Sequence, residues 1–146
     1  MPLLHDTAYR SQLRTRLESL RANTEHRWGA MTVDQMVWHV NTGLNLALGR
    51  ITVPRSKPPM PMPLMRVVVI DLPWPKNLPT HPAFKATSAF DFEAERATTL
   101  RLLEEFAQKP LESEWGDHPL LGRLTGRRQS KLQAKHIDHH LRQFGV

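Results

Sequence analysis

Apolar residues recur every three or four positions in four segments of the chain, which is the spacing of one face of an α-helix. Met36, Val40 and Leu44 form such a stripe in the second segment, and Ile137 and Leu141 belong to another in the last. The predicted helices run from about Thr7 to Ala22, from Thr32 to Gly49, from Asp91 to Gln108 and from Thr125 to Phe144. The pattern therefore predicts an all-α protein.

Residues at the helix ends support these positions. Asp6 is a candidate N-cap of the first helix, and Thr32 with Gln35 forms the T-x-x-Q pattern of a capping box. Gly49 and Gly145 follow the second and fourth helices, where glycine commonly ends a helix.

A proline-rich connection separates the second and third predicted helices. Nine of the twelve prolines lie between residues 50 and 89, so no long helix can continue through this segment. Residues 65–71 fit either a short helix or an extended piece. A connection of this length can return along a helix of about 27 Å, which makes the second and third helices parallel. We therefore expect a four-helix bundle of up-down-down-up topology, forming one domain over residues 1–146.

Three of the eight histidines lie beside apolar helix faces. His136 and His140 are four residues apart, so both lie on one side of the fourth helix, roughly 100° and 60° from the centre of its apolar stripe. By the same count His139 points to the opposite, solvent side. His39 lies about 60° from the stripe of the second helix. These positions predict that His39, His136 and His140 face the interior together.

The heights of these histidines along the predicted bundle also agree. His39 lies about 10 Å into its helix, and His140 and His136 lie about 6–12 Å from the end of theirs, at the same end of the bundle. A lone histidine at position 39 would usually be a hydrogen-bonded core residue. The shared level instead favours a divalent-metal site of His39, His136 and His140 with an open coordination position. Imidazole suits zinc, nickel, iron or copper, and we expect zinc or nickel ahead of iron or manganese.

Several other polar residues are weaker candidates for the chemistry. Asp138, Glu104 and Glu105 could support a metal or act as acid or base, although acidic residues on helices are usually solvated. Gln143 lies on the same flank as His140 and could contact a metal-bound group, but a surface amide is the commoner role. His118 precedes a proline and is typical of a turn. The tryptophans in connections are expected to cover the ends of the core: Trp28, Trp74 and Trp115.

Composition excludes several function classes. The chain has no cysteine, so disulfides and thiolate chemistry are absent, and it contains no P-loop or dinucleotide motif. Its charge is +6, but the cations are dispersed without interleaved aromatic residues, which disfavours nucleic-acid binding. No apolar run approaches the roughly 20 residues of a membrane span, and no signal peptide is evident. We expect a cytoplasmic protein.

Three stretches carry a resemblance to a known group of proteins. TVDQMVWH, WPKNLPTHP and KHIDHHLRQFG resemble the DinB-like superfamily of metalloenzymes, and more narrowly a bacterial subfamily of unknown function within it. The resemblance covers nearly the whole chain and implies a four-helix bundle whose metal is held by His39, His136 and His140. It also implies that a homodimer forms through helix faces. Some members are transferases that use low-molecular-weight thiols, and others are hydrolases or isomerases.

Two functions remain open from the sequence. The first is a metal-dependent enzyme acting on a small molecule, such as a thiol-dependent S-transferase or a hydrolase in detoxification or stress. The second is a non-catalytic, stress-related binding module that keeps the bundle and recruits partners through its proline-rich or basic surface. The catalytic residues are not identified by either interpretation.

Overall fold

The computed structural model describes all residues, 1–146, and consists of five α-helices without strands. The helices are α1 (Thr7–Ser19), α2 (Val33–Ala47), α3 (Met62–Arg66), α4 (Phe92–Gln108) and α5 (Gly126–Gln143). The four long helices are those predicted from the apolar stripes. None of the helices has the length and apolar character needed to cross a membrane.

The helix ends follow the predicted capping residues closely. Asp6 accepts a hydrogen bond from the Tyr9 backbone N–H at 3.1 Å, and the capping box of Thr32 and Gln35 is formed. Gly49 adopts a left-handed φ of 77° just after α2. The first helix is shorter than predicted and ends at Ser19, because Leu20 is extended and turns its side chain fully into the core.

The apolar stripes of α1, α2, α4 and α5 share one core. α2 packs against α4 and α5, and α1 packs against the same two helices. A buried polar link reinforces the contact between α2 and α4: Asn41 Nδ2 donates to the backbone carbonyl of Glu95 at 2.9 Å, and Thr99 Oγ1 donates to Asn41 Oδ1 at 2.7 Å. These contacts place α2 between α4 and the helix that carries His136 and His140.

The proline-rich connection, residues 50–89, is called the crossover here. It contains α3, a π-helical turn Val67–Asp71 and a 3-10 turn Pro82–Phe84, so residues 65–71 are helical rather than extended. Met65 and Ile70 bury their side chains against Leu132 of α5. Lys135 of α5 donates to the Val69 carbonyl at 2.8 Å and also to the Leu72 carbonyl. The crossover is thereby fixed against the face of α5 that carries the histidines.

Candidate metal centre

Three histidines from two helices converge in the structure. His39 of α2 and His136 and His140 of α5 have ring centroids 4.8 Å apart in every pair, with ring planes at 76–78° to one another. One nitrogen from each ring lies within 4.8 Å of the others, so the three residues could hold a metal ion. The structure thus brings together the three rings that the sequence analysis selected.

The His39 ring is oriented by the crossover. Its Nδ1 lies 2.9 Å from the main-chain carbonyl oxygen of Phe84, in the 3-10 turn. Because a carbonyl oxygen only accepts, Nδ1 must carry the ring hydrogen and donate it. Nε2 therefore presents a lone pair, and it lies 2.8 Å from Nε2 of His136.

The His140 ring is oriented by Gln143. Nδ1 of His140 lies 2.8 Å from Gln143 Oε1, while Gln143 Nε2 donates to the Trp28 carbonyl at 2.9 Å. The contact to Trp28 requires the amide nitrogen on that side, so the amide oxygen must face His140. Gln143 is buried, and the expectation of a surface amide is wrong, because the segment carrying Trp28 covers this end of α5. Nε2 of His140 is left free to bind.

The expected orientation of His139 is also corrected by the structure. His139 is half-buried rather than directed into solvent, and its ring contacts Trp28 and Trp74 at centroid distances of 6.0 and 5.4 Å. These tryptophans lie in connecting segments that fold over the face of α5 that a helical wheel treats as exposed. Trp74 also packs against the ring of His136, with centroids 6.1 Å apart, whereas Trp115 is part of the main core.

Burial keeps the clustered imidazoles neutral. Burial, followed by repulsion from the nearby His39 ring, lowers the pKa of His140 to about 3. Burial likewise lowers the pKa of His39, and burial together with the two neighbouring rings holds the pKa of His136 well below its usual range. Neutral imidazole is the form that binds metal ions, so the rings are ready to act as ligands near pH 7.

The three rings lie in the wall of a pocket of about 380 Å³. Much of its apolar wall comes from the crossover, including Met65, Trp74, Leu78 and Phe84. No Asp, Glu, Lys or Arg side chain lines it. The long crossover thus closes a small, uncharged pocket over the histidines. A larger cleft of about 980 Å³ between the starts of α1 and α5 contains none of the three rings.

Three further histidines line the pocket: His139, and also His81 and His118, whose spacing does not indicate a site. His118 Nδ1 accepts hydrogen bonds from the backbone N–H groups of Leu120 and Leu121, which confirms its role in a turn. Its hydrogen must then be on Nε2, and burial lowers its pKa to about 4. Only the packing of the turn against the crossover reveals that His118 lines the same pocket.

The three carboxylates considered from sequence form ion pairs and do not line the pocket. Asp138 lies 2.7 Å from Arg16 and 2.9 Å from Arg142. Glu104 pairs with Arg10 at 3.3 Å, and Glu105 pairs with Arg50 at 2.6 Å. None of the three is placed to act on a molecule in the pocket.

The three imidazoles are donors of a type that suits a divalent ion, and their nitrogens lie within 4.8 Å of one another, so small shifts are needed to bind one. Imidazole nitrogens bound to zinc at about 2.0–2.1 Å in tetrahedral geometry lie about 3.3 Å apart. The 2.8 Å contact between Nε2 of His39 and Nε2 of His136 would need to widen by about half an ångström. Oxygen acceptors on the Nδ1 atoms of His39 and His140 are the usual partners of metal-binding histidines.

Comparison with known proteins identifies a family but no characterised relative. No curated protein and no solved structure matches the chain. The family described as "Protein of unknown function (DUF1569)" matches residues 7–145. Because this match covers nearly the whole length, the chain belongs to the DUF1569 family.

Proposed function

We propose that this protein is a small metal-dependent enzyme whose divalent ion is bound by His39, His136 and His140. The observation that carries the proposal is the convergence of three neutral imidazoles at a pocket, two of them held by oxygen acceptors on Nδ1. Structural zinc sites are usually closed by four protein ligands, whereas three ligands are typical of catalytic sites. Zinc or nickel suits this all-nitrogen donor set better than manganese, which prefers oxygen ligands.

The reaction class follows from what the pocket offers. When bound, a divalent ion supplies Lewis acidity, which favours the ionised form of a water or thiol and polarises a substrate group. The apolar side chains of Trp74, Leu78 and Phe84 would bind the body of a small substrate and exclude water from it. Because the walls carry no ionised side chain, they suit an uncharged, largely apolar group. We propose that the enzyme either transfers a low-molecular-weight thiol to such a substrate or hydrolyses the substrate.

The proposed site also fits the predicted bundle of up-down-down-up topology in a single domain. Contacts between helix ends support this arrangement. The Phe90 N–H donates to Asp34 at 2.8 Å, which joins the starts of α2 and α4. The Leu4 N–H donates to the Ser130 carbonyl at 3.2 Å, which joins the starts of α1 and α5. This topology and the three-histidine pattern support a relationship between the family and the DinB-like superfamily.

Metal analysis of untagged protein tests the proposal. We expect about one divalent ion per chain, and its loss in His39→Ala and His140→Ala. His26→Ala is the matched control, because His26 is exposed and its Nδ1 contacts only the Met31 carbonyl. If the two variants retain as much metal as the wild type and the control, the proposed site is wrong.

A second candidate is a non-catalytic binding module. It is favoured by exposed apolar side chains on the crossover, where Leu64, Val67 and Leu72 are each about half exposed. This candidate requires no metal, so metal analysis separates it from the enzyme. The homodimer implied by the family resemblance is a separate prediction, which sedimentation of the untagged protein would test.

A further inference from the structure

A buried oxygen beside the histidine cluster has no hydrogen-bond partner. Gln133 lies on α5 three residues before His136, is 4% exposed and lines the pocket. Its Oε1 is buried and accepts no hydrogen bond. Leaving a buried carbonyl oxygen unpaired is unfavourable, so a donor that could pair with it is to be sought nearby.

The hydrogen positions on the neighbouring rings show that Nδ1 of His136 has no hydrogen to donate. His39 carries its hydrogen on Nδ1, which donates to Phe84, so its Nε2 can only accept. The 2.8 Å contact between the two Nε2 atoms then requires the hydrogen of His136 to be on its Nε2. In a neutral ring this leaves Nδ1 of His136 without a hydrogen, so it cannot donate to any oxygen.

The surroundings of Gly43 on α2 show that the unpaired Oε1 of Gln133 and Nδ1 of His136 both face this helix. A Cβ atom added to Gly43 would lie 3.2 Å from Nδ1 of His136 and 3.4 Å from Oε1 of Gln133. Two acceptors therefore face the same spot on α2. The two atoms form no hydrogen bond in the structure. A hydrogen on Nδ1 and a turn of the Gln133 side chain are therefore both needed to join them.

We infer that Gln133 is the positioning residue for His136 in the metal-bound protein. This inference rests on the proposed function. When Nε2 of His136 gives its lone pair to the ion, its hydrogen passes to water and Nδ1 takes one up, so the ring stays neutral. The Gln133 side chain then turns so that its Oε1 accepts from Nδ1–H. Each of the three rings is thereby held by one oxygen: Phe84 O for His39, Gln143 Oε1 for His140 and Gln133 Oε1 for His136.

Zinc affinity tests the inference. Gln133→Met keeps the size of the side chain and removes the acceptor, and we expect its zinc affinity to fall about 10–100-fold in competition with a chromogenic chelator. Gln133→Glu keeps an oxygen acceptor and should retain the affinity. Gln129→Met is the matched control, because Gln129 is also buried on α5 with an unpaired Oε1 but does not line the pocket. Equal zinc affinity in Gln133→Met and the wild type would overturn the inference.

Nitrogen-15 NMR of the histidines in the wild-type chain gives a second test that needs no folded variant. Adding zinc should move the hydrogen of His136 from Nε2 to Nδ1, while His39 and His140 keep theirs on Nδ1. If zinc binds and His136 keeps its hydrogen on Nε2, the inference fails and the proposed function survives. If the wild type binds neither zinc nor nickel, the proposed function fails and the inference fails with it.

Discussion

Replacing Gly43 with alanine should lower the affinity of the protein for metal without lowering the stability of the metal-free fold. Gly43 lies in the interior of α2, where alanine is normally more stable than glycine by about 1 kcal/mol. Alanine would also place a Cβ atom 3.1 Å from Cε1 and 3.2 Å from Nδ1 of His136. Carbon contacts prefer about 3.5–4.0 Å, so the ring must move by about 0.4 Å.

A displacement of this size matters more to metal binding than to folding. Metal–ligand distances are held to within about 0.2 Å, so we expect a loss of about tenfold in zinc affinity. At saturating zinc this loss removes about 1.4 kcal/mol of ligand-induced stability. Each kcal/mol corresponds to about 2–4 °C for a chain of this size. The zinc-induced rise in Tm should therefore shrink by about 3–6 °C, while the Tm of the metal-free protein is unchanged or up to about 4 °C higher.

Differential scanning calorimetry with and without zinc measures both effects. Asn45→Ala is the matched control, because Asn45 also lies within α2 but does not line the pocket, and its substitution improves helix propensity alone. The control should raise both Tm values equally. If Gly43→Ala shows the same zinc-induced rise as the wild type, the close approach of α2 does not constrain His136 and the reasoning is refuted.

Three further predictions concern the groups around the histidines. Gln143→Leu removes the acceptor of His140 Nδ1 and should weaken zinc binding about 10–100-fold in chelator competition; an unchanged affinity would contradict that role. The pKa of His118 is lowered to about 4 and that of His140 to about 3. As the pH falls, these histidines therefore bind protons in the unfolded chain at a higher pH than in the folded protein. The free energy of unfolding of the metal-free protein should thus fall as the pH drops from about 6.5 towards 4, and a flat series of urea titrations would contradict this. Arg16→Met leaves the buried Asp138 with Arg142 alone and should cost about 2 kcal/mol in urea unfolding, with metal content unchanged; a loss of metal would instead tie Asp138 to the histidines.

The parts predicted well from sequence depend on local rules. Helix positions follow from apolar periodicity and from caps such as Thr32 with Gln35, which act within a few residues. The convergence of His39 with His136 and His140 was predictable because height along a helix is a simple function of residue number. Their role as metal ligands stays a prediction.

The parts that were missed depend on how distant segments pack. A helical wheel cannot show that Trp28 and Trp74 cover His139, because both tryptophans arrive from connections without a repeating pattern. The same is true of His118, whose turn lies against the crossover. Gln143 was noticed for its position beside His140, but its burial depends on the Trp28 carbonyl above it.

The contact between His39 and residue 84 has a consequence for how this architecture can diversify. The imidazole is held by the main-chain oxygen of Phe84, whereas the phenyl ring of Phe84 forms part of the pocket wall. The main chain of Phe84 therefore holds the metal-site histidine, while its side chain shapes the pocket that a substrate would enter. Exchanging the side chain would reshape the cavity and leave the carbonyl anchor in place, so related chains or engineered variants can change what they accept while keeping the same constellation of imidazoles.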